Sequence, residues 1–410
     1  MLEYFRMEIN TDENKIEDFL IRGVEHVLPS RDFVRDRLRS GEKLTVYYGI
    51  DPTGPSLHIG HAIPIKKLAQ LQNLGHHIIF LIGDFTAKIG DPTDKLATRV
   101  ALTSEQVAEN LKNYKAQASK IVAFDGENPA EFRFNSEWLG EMKFADVLEL
   151  ASKATVQQML ERDMFKKRIE EGKPIHLHEF MYPLMQGADS VALMVDGELG
   201  GNDQLFNMLM GRTLLKECNK EKFVMVMKLL TDNSGKKMGK SEGNMITLED
   251  SADEMFGKIM SWTDSMIFSG FELCTNVSQE EILEMDFKMQ NGENPIEFKK
   301  RLAREIVTIY HSFEDAAKAQ VNWENTFSKG GLPDEIPEIK ADEGSLLSDV
   351  LVKEKLIESK SDFRRLIEEG AIKLVTSNSE EKILDIKYSL VSGETKTFKI
   401  GKRIFITIIV

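Results

Sequence analysis

The stretch LTVYYGIDPTGPSLHIGHA, residues 44–62, points to an α/β architecture. Its first part, Leu44 to Gly49, is rich in β-branched and aromatic residues and reads as a short strand. Asp51-Pro52-Thr53-Gly54-Pro55 carries the turn formers, and from about His58 to Leu74 the apolar spacing becomes helical. A second buried strand is expected from His77 to Gly83. Strand, loop, helix and strand in that order open a parallel α/β sheet whose ligand crevice lies at the strand ends.

Working outward, residues from about 103 to 170 turn helical and heavily charged, which reads as an insertion between two halves of a nucleotide-binding fold. The second half resumes near Tyr182 with a helix, the apolar run Val191 to Val195, the loop Gly200-Gly201-Asn202-Asp203-Gln204, another helix and a strand at Lys222 to Met227. A Lys- and Gly-rich loop follows, containing Lys237-Met238-Gly239-Lys240-Ser241. From about Glu249 to Phe327 the pattern is that of a helical domain, with a helix start at Asn294-Pro295. Gly330 to Gly344 reads as a linker, and the remaining residues as two helices followed by short strands. The division expected is therefore 1–245, 246–329, a linker at 330–344, and 345–410.

The chain has 410 residues and a net charge of −14, which suits two or three domains. No stretch approaches the ~18 apolar residues of a membrane span, and Met1 to Leu20 lacks a secretory apolar core, so a cytoplasmic location is expected. Cys218 and Cys274 have no CxxC or Cys/His spacing; no zinc site is expected, and both read as small buried hydrophobes. The charge is uneven. Residues 345–410 hold 12 Lys and Arg against 10 Asp and Glu, leaving 41 against 57 for the rest, so the tail can meet phosphates locally.

His58 and His61 stand at i and i+3 on one face of a helix N-terminus, where free N–H groups and the dipole favour phosphate, and Gly60 permits close approach. Two such histidines can equally cap a surface turn. Lys237 and Lys240 can clamp a triphosphate as charge develops in nucleotidyl transfer; a solvated basic loop is the plain alternative. Tyr182, Gln186 and Asp189, at i, i+4 and i+7, share a helix face that is either a site or a polar stripe toward solvent.

These strings together resemble the class I aminoacyl-tRNA synthetases, and specifically the tyrosyl branch. His58-Ile59-Gly60-His61 and Lys237-Met238-Gly239-Lys240-Ser241 are similar to that class's two signatures, with Gly239 where many members have Ser. Tyr47 to Thr53, Ile89-Gly90-Asp91-Pro92-Thr93, the Tyr182/Gln186/Asp189 set and Gly200 to Gln204 match the tyrosyl pattern in order. The resemblance implies a Rossmann-type sheet with a helical insertion, a helical domain and a small α+β S4-like domain. It implies that Tyr47 and Asp189 bind the substrate phenol, that Asp91, Tyr182 and Gln186 hold its ammonium, and that Gln204 lies near its carboxylate. For ATP it implies Thr53, His58 and His61 on the phosphates, Asp203 on the ribose, Gly49, Asp51, Gly60 and Gly201 along the nucleotide, and Lys237, Lys240 and Ser241 closing over pyrophosphate. Magnesium is expected to arrive with ATP, without a protein cage.

Glu358 to Lys373 resembles the S4 RNA-binding module. An N-cap is expected at Ser361, and Lys360, Arg364, Arg365, Lys373, Lys402 and Arg403 are implied to grip tRNA; an ordinary charged helix is the alternative. A homodimer formed by the insertion is expected. The competing readings are the tryptophanyl relative, against which Asp189 and Tyr47 argue, and a noncatalytic RNA-binding descendant, against which the intact His58, His61, Lys237, Lys240 and Asp203 argue.

Overall fold

The computed structural model describes residues 8–91, 102–231, 245–328, 336–375, 380–391, 393, 395–401 and 404–410. Lys237, Lys240, Ser241, Lys402 and Arg403 lie outside the described residues, as do Pro92 and Thr93. The chain divides into two compact units, residues 1–316 and 317–410.

In the first unit, strands β1 (Val24–Leu28), β2 (Thr45–Ile50), β3 (His77–Ile82), β4 (Glu131–Phe134), β5 (Gly197–Gly201) and β6 (Phe223–Met227) form one sheet in the order β1-β6-β5-β2-β3-β4. All pairings are parallel except β1 with β6. Ile78 to Ile82 and all of β6 are buried, as expected where helices cover both faces of a parallel sheet. Helix α1 (Ile59–Asn73) links β2 to β3, while β5 lies on the other side of β2. The strand order therefore reverses between β2 and β5, and the carboxyl ends of these two strands carry Ile50-Asp51 and Gly200-Gly201. That reversal is where open α/β sheets bind ligands.

Two features depart from the expected layout. The 103–170 stretch is interrupted by β4, which pairs with β3 from Ile79↔Glu131 to Ile82↔Phe134. Its Glu-Phe-Arg-Phe alternation is only four residues long and sits inside charged helical sequence, so periodicity misses it. The edge strand β1 was likewise unmarked; its neighbour Arg22 donates to the carbonyls of Phe271, Glu272, Thr275 and Val277 at the end of the helix Met266–Cys274. A guanidinium there satisfies orphan carbonyls and complements the negative end of the helix dipole.

Helices α2 (Leu177–Ala192) and α3 (Leu205–Glu217) flank β5 in sequence and pack on each other where Gly187 faces Leu214 and Met210. The helical region contains α4 (Pro295–Tyr310), capped by Asn294 with Pro295 in its first turn. Cys274 is buried, but Cys218 is exposed: it caps the C-terminus of α3 and faces solvent.

In the second unit, β7 (Glu338–Lys340), β8 (Ile372–Val375), β9 (Glu380–Lys382), β10 (Thr395–Ile400) and β11 (Ile404–Ile409) form a sheet in the order β7-β11-β10-β8-β9. The helix Leu347–Lys353 and helix α5 (Lys360–Glu368) contribute Leu347, Leu351 and Phe363 to a core with Ile372, Phe398 and Ile406. The expected linker is thus partly structural, because β7 pairs with β11. The cap of α5 is Ser359, whose hydroxyl accepts from the Asp362 amide at 3.2 Å; the expected cap, Ser361, is instead the second residue of the helix.

Candidate active site

At the carboxyl ends of β2 and β5 lies a cavity of about 390 Å³. Its lining brings together Tyr47, Gly49, Asp51, Thr53, His58, Gly60, His61, Asp91, Tyr182, Gln186, Asp189, Gly201, Asp203 and Gln204, which are spread over more than 150 positions of sequence. Gly83 closes one side; a Cβ there would stand 2.0 Å from Asp51 Oδ1, so only glycine fits.

His58 is the N-cap of α1. Its Nδ1 accepts from the amides of Gly60 (3.1 Å) and His61 (3.4 Å), and His61 Nδ1 in turn accepts from the His58 amide at 3.4 Å. A neutral imidazole that accepts at Nδ1 carries its proton on Nε2. The capping pattern therefore makes both rings Nε2–H donors, and they stack with centroids 3.5 Å apart. Donors beside a helix N-terminus form an anion site without needing protonated rings.

Tyr182, Gln186 and Asp189 project from one face of α2 into the same cavity. The Tyr182 hydroxyl donates to Asp51 Oδ2 at 2.8 Å; burial and the nearby carboxylates push this phenol well up. Tyr182 keeps its own proton, directed at Asp51, so its oxygen offers a lone pair to the cavity. Asp189 is 3 % exposed and accepts from Trp138 Nε1 (2.8 Å) and Asn135 Nδ2 (3.3 Å). Burial pushes its carboxyl well up, and the two donors counter that only partly. The Tyr47 phenol, also pushed up by burial, meets Ser190 Oγ at 3.0 Å.

Asp91 accepts from Arg162 Nη2 (2.7 Å) and Gln204 Nε2 (2.9 Å). Asn207 donates to Gln204 Oε1 at 3.1 Å and fixes the orientation of that amide. Arg162, Asn135, Trp138, Ser190, Glu198, Asn207 and Lys222 had not been singled out in the sequence. Asn135 and Trp138 come from one short segment after β4, Ser190 follows Asp189 on α2, and the others come from separate stretches of chain, with no motif spacing to mark any of them.

In the second unit, Arg364 is exposed, Arg365 pairs with Asp362 and Glu369, Lys360 with Asp349, and Lys373 with Glu380.

A family model described as tRNA synthetases class I (W and Y) matches residues 39–328. The chain is 47 % identical over 407 residues to a tyrosine–tRNA ligase of Carboxydothermus hydrogenoformans, covering 96 % of this chain and 97 % of the relative. It is 44 % identical over 381 residues to a tyrosine–tRNA ligase of Thermotoga maritima, covering 92 % and 93 %. Among solved structures, a C-terminally truncated mitochondrial tyrosyl-tRNA synthetase of Coccidioides posadasii matches with a TM-score of 0.62 and 26 % identity, over 76 % of this chain and 92 % of that one.

Proposed function

The chain belongs to the class I tRNA synthetases of the tryptophan and tyrosine group, and from that premise we propose that it is a tyrosine–tRNA ligase. It activates tyrosine with ATP and transfers the tyrosyl group to tRNA(Tyr). The observation that carries this reading is a buried carboxylate, Asp189, lining the same cavity as the His58/His61 donor pair. A carboxylate in that position accepts from a phenol, and it disfavours phenylalanine, which would leave it buried without that partner. An indole offers a single N–H but no hydroxyl for Tyr47 to meet, which favours tyrosine over tryptophan.

In the first step an oxygen of the tyrosine carboxylate attacks the α-phosphorus of ATP in line, and the bond to pyrophosphate breaks. The carboxylate is already ionised at neutral pH, so no general base is needed. The work of the site is alignment and charge stabilisation. Gln186 and the Tyr182 oxygen hold the ammonium beside Asp91, Gln204 lies at the carboxylate, Asp203 takes the ribose, and Thr53, His58 and His61 meet the phosphates. Magnesium enters as part of the nucleotide substrate. Lys237, Lys240 and Ser241 close over pyrophosphate. In the second step the 2′-hydroxyl at the 3′ end of tRNA attacks the mixed anhydride and AMP leaves.

The second unit is read as an S4-like tRNA-binding domain and the helices after residue 246 as the anticodon side. The ion pairs of Lys360, Arg365 and Lys373 are surface pairs of small net worth, so phosphates can displace the carboxylates. The chain is read as a homodimer, because Phe144, Leu148 and Val156 of the inserted stretch and Leu177 at the start of α2 expose between 55 % and 84 % of their surface. Among the described residues no helix is long and apolar enough to cross a membrane, and the reaction is assigned to the cytoplasm, where tRNA and ATP meet.

ATP–pyrophosphate exchange tests the reading. Exchange should depend on tyrosine and be absent with tryptophan; a tryptophan-dependent signal alone would overturn the specificity.

A further inference from the structure

Beneath the cavity floor Lys222, fully buried just ahead of β6, donates from Nζ to Ser190 Oγ at 2.8 Å and to the carboxylate of Glu198 on β5. The other oxygen of Glu198 accepts from Gln186 Nε2 at 2.9 Å. The fold makes room for this arrangement: a Cβ on Gly211 of α3 would lie 2.4 Å from Ser190 Oγ and 2.6 Å from Lys222 Nζ. A fully buried ammonium is costly unless it is paired and hydrogen-bonded, so a chain that encloses one beside its ligand cavity has a specific arrangement to hold.

The two ends of a glutamine amide are nearly the same shape but opposite in hydrogen bonding, and only a neighbour fixes which end faces the ligand. An ionised carboxylate accepts and never donates. Glu198 therefore takes the NH₂ end of Gln186, and the carbonyl end is left for the cavity. A carbonyl oxygen there is an acceptor, suited to an ammonium group and unsuited to a carboxylate. We infer that Lys222 is a positioning residue for amino-acid recognition: held against Glu198, it keeps an acceptor-only group behind Gln186 and so presents the Gln186 carbonyl to the substrate ammonium. This rests on the tyrosine-activating reading above.

The test is pyrophosphate exchange with the full chain, with separate KM values for tyrosine and ATP and the thermal midpoint of each variant. In Glu198→Gln, Lys222 donates to the new carbonyl, the new NH₂ faces Gln186, and Gln186 turns its own NH₂ toward the substrate ammonium. The tyrosine KM should rise about tenfold or more, the ATP KM should stay within about twofold, and inhibition by 3-(4-hydroxyphenyl)propionate, which lacks the ammonium, should change by less than about threefold. Lys222→Met should also raise the tyrosine KM selectively. Should that variant fail to fold, Glu198→Gln, which keeps the side-chain volume and leaves the ammonium an acceptor, carries the test by itself. An unchanged tyrosine KM in Glu198→Gln overturns the inference, as does an equal loss of tyrosine, ATP and the ammonium-free inhibitor. Wild-type chain that gives no tyrosine-dependent exchange overturns the underlying reading instead, which separates the two failures.

Discussion

Asp189 meets Trp138 and Asn135 on one side and the cavity on the other, so removing it strips an acceptor from two buried donors as well as from the ligand. Asp189→Ala should lower kcat/KM for tyrosine in exchange by about a hundredfold or more, the scale of a lost charge-assisted hydrogen bond in a buried site. The ATP KM should stay within about threefold; near-normal tyrosine activation would remove Asp189 from the pocket floor. Residues such as Asp189, Gln186 and His58 were legible because helical spacing puts them on one face or at one terminus, and the resemblance to the tyrosyl branch made that face a site rather than a polar stripe. Lys222 and Arg162 were not. As letters they are two of 53 basic residues, and only the fold turns them inward against Glu198 and Asp91. Cys218 erred the other way, since a cysteine at the end of a helix can face water.

At the scale of elements, the strand–loop–helix unit followed from pattern, and its ends agree with the expected ones to within a residue or so. The short strands β1, β4 and β7 did not, because three to five residues carry too little periodicity and their pairing partners are remote in sequence. The junction between α1 and β3 also carries a pH prediction. His76 is buried there, and its Nδ1 accepts from the Leu44 amide at 3.3 Å, which requires a neutral ring. Burial lowers its pKa from 6.5 to about 4. Between those values the unfolded chain binds a proton that the folded chain does not, so stability falls as pH drops from about 6.5 to about 4, by up to about 3 kcal/mol. Urea unfolding of wild type and His76→Gln at pH 7 and pH 4.5 checks this. The variant should lose about 2 kcal/mol less on acidification, and equal losses would contradict the assignment.

Across the whole molecule, two compact units suggest that activation and tRNA grip can be separated. Because β7 pairs with β11, the cut that removes the second sheet intact falls at 336 and not at 345. A chain lacking residues 336–410 should keep exchange within about threefold and lose about tenfold or more in tRNA charging; equal losses would remove the separate RNA role of the tail. The exposed apolar residues make a second prediction at this scale. Phe144→Glu/Leu177→Glu should convert a dimer into a monomer in sedimentation velocity, and a monomeric wild type would remove the proposed interface.

The proposed function requires one cleft to hold the amino acid and the nucleotide together. It is tested most directly by titrating the chain calorimetrically with a stable tyrosyl adenylate analogue in which a sulfamoyl group replaces the phosphate. The tyrosyl analogue should bind about fiftyfold or more tighter than its phenylalanyl counterpart, and both free tyrosine and free ATP should compete with it. Equal binding of the two analogues, or competition by only one of the two substrates, would contradict the account.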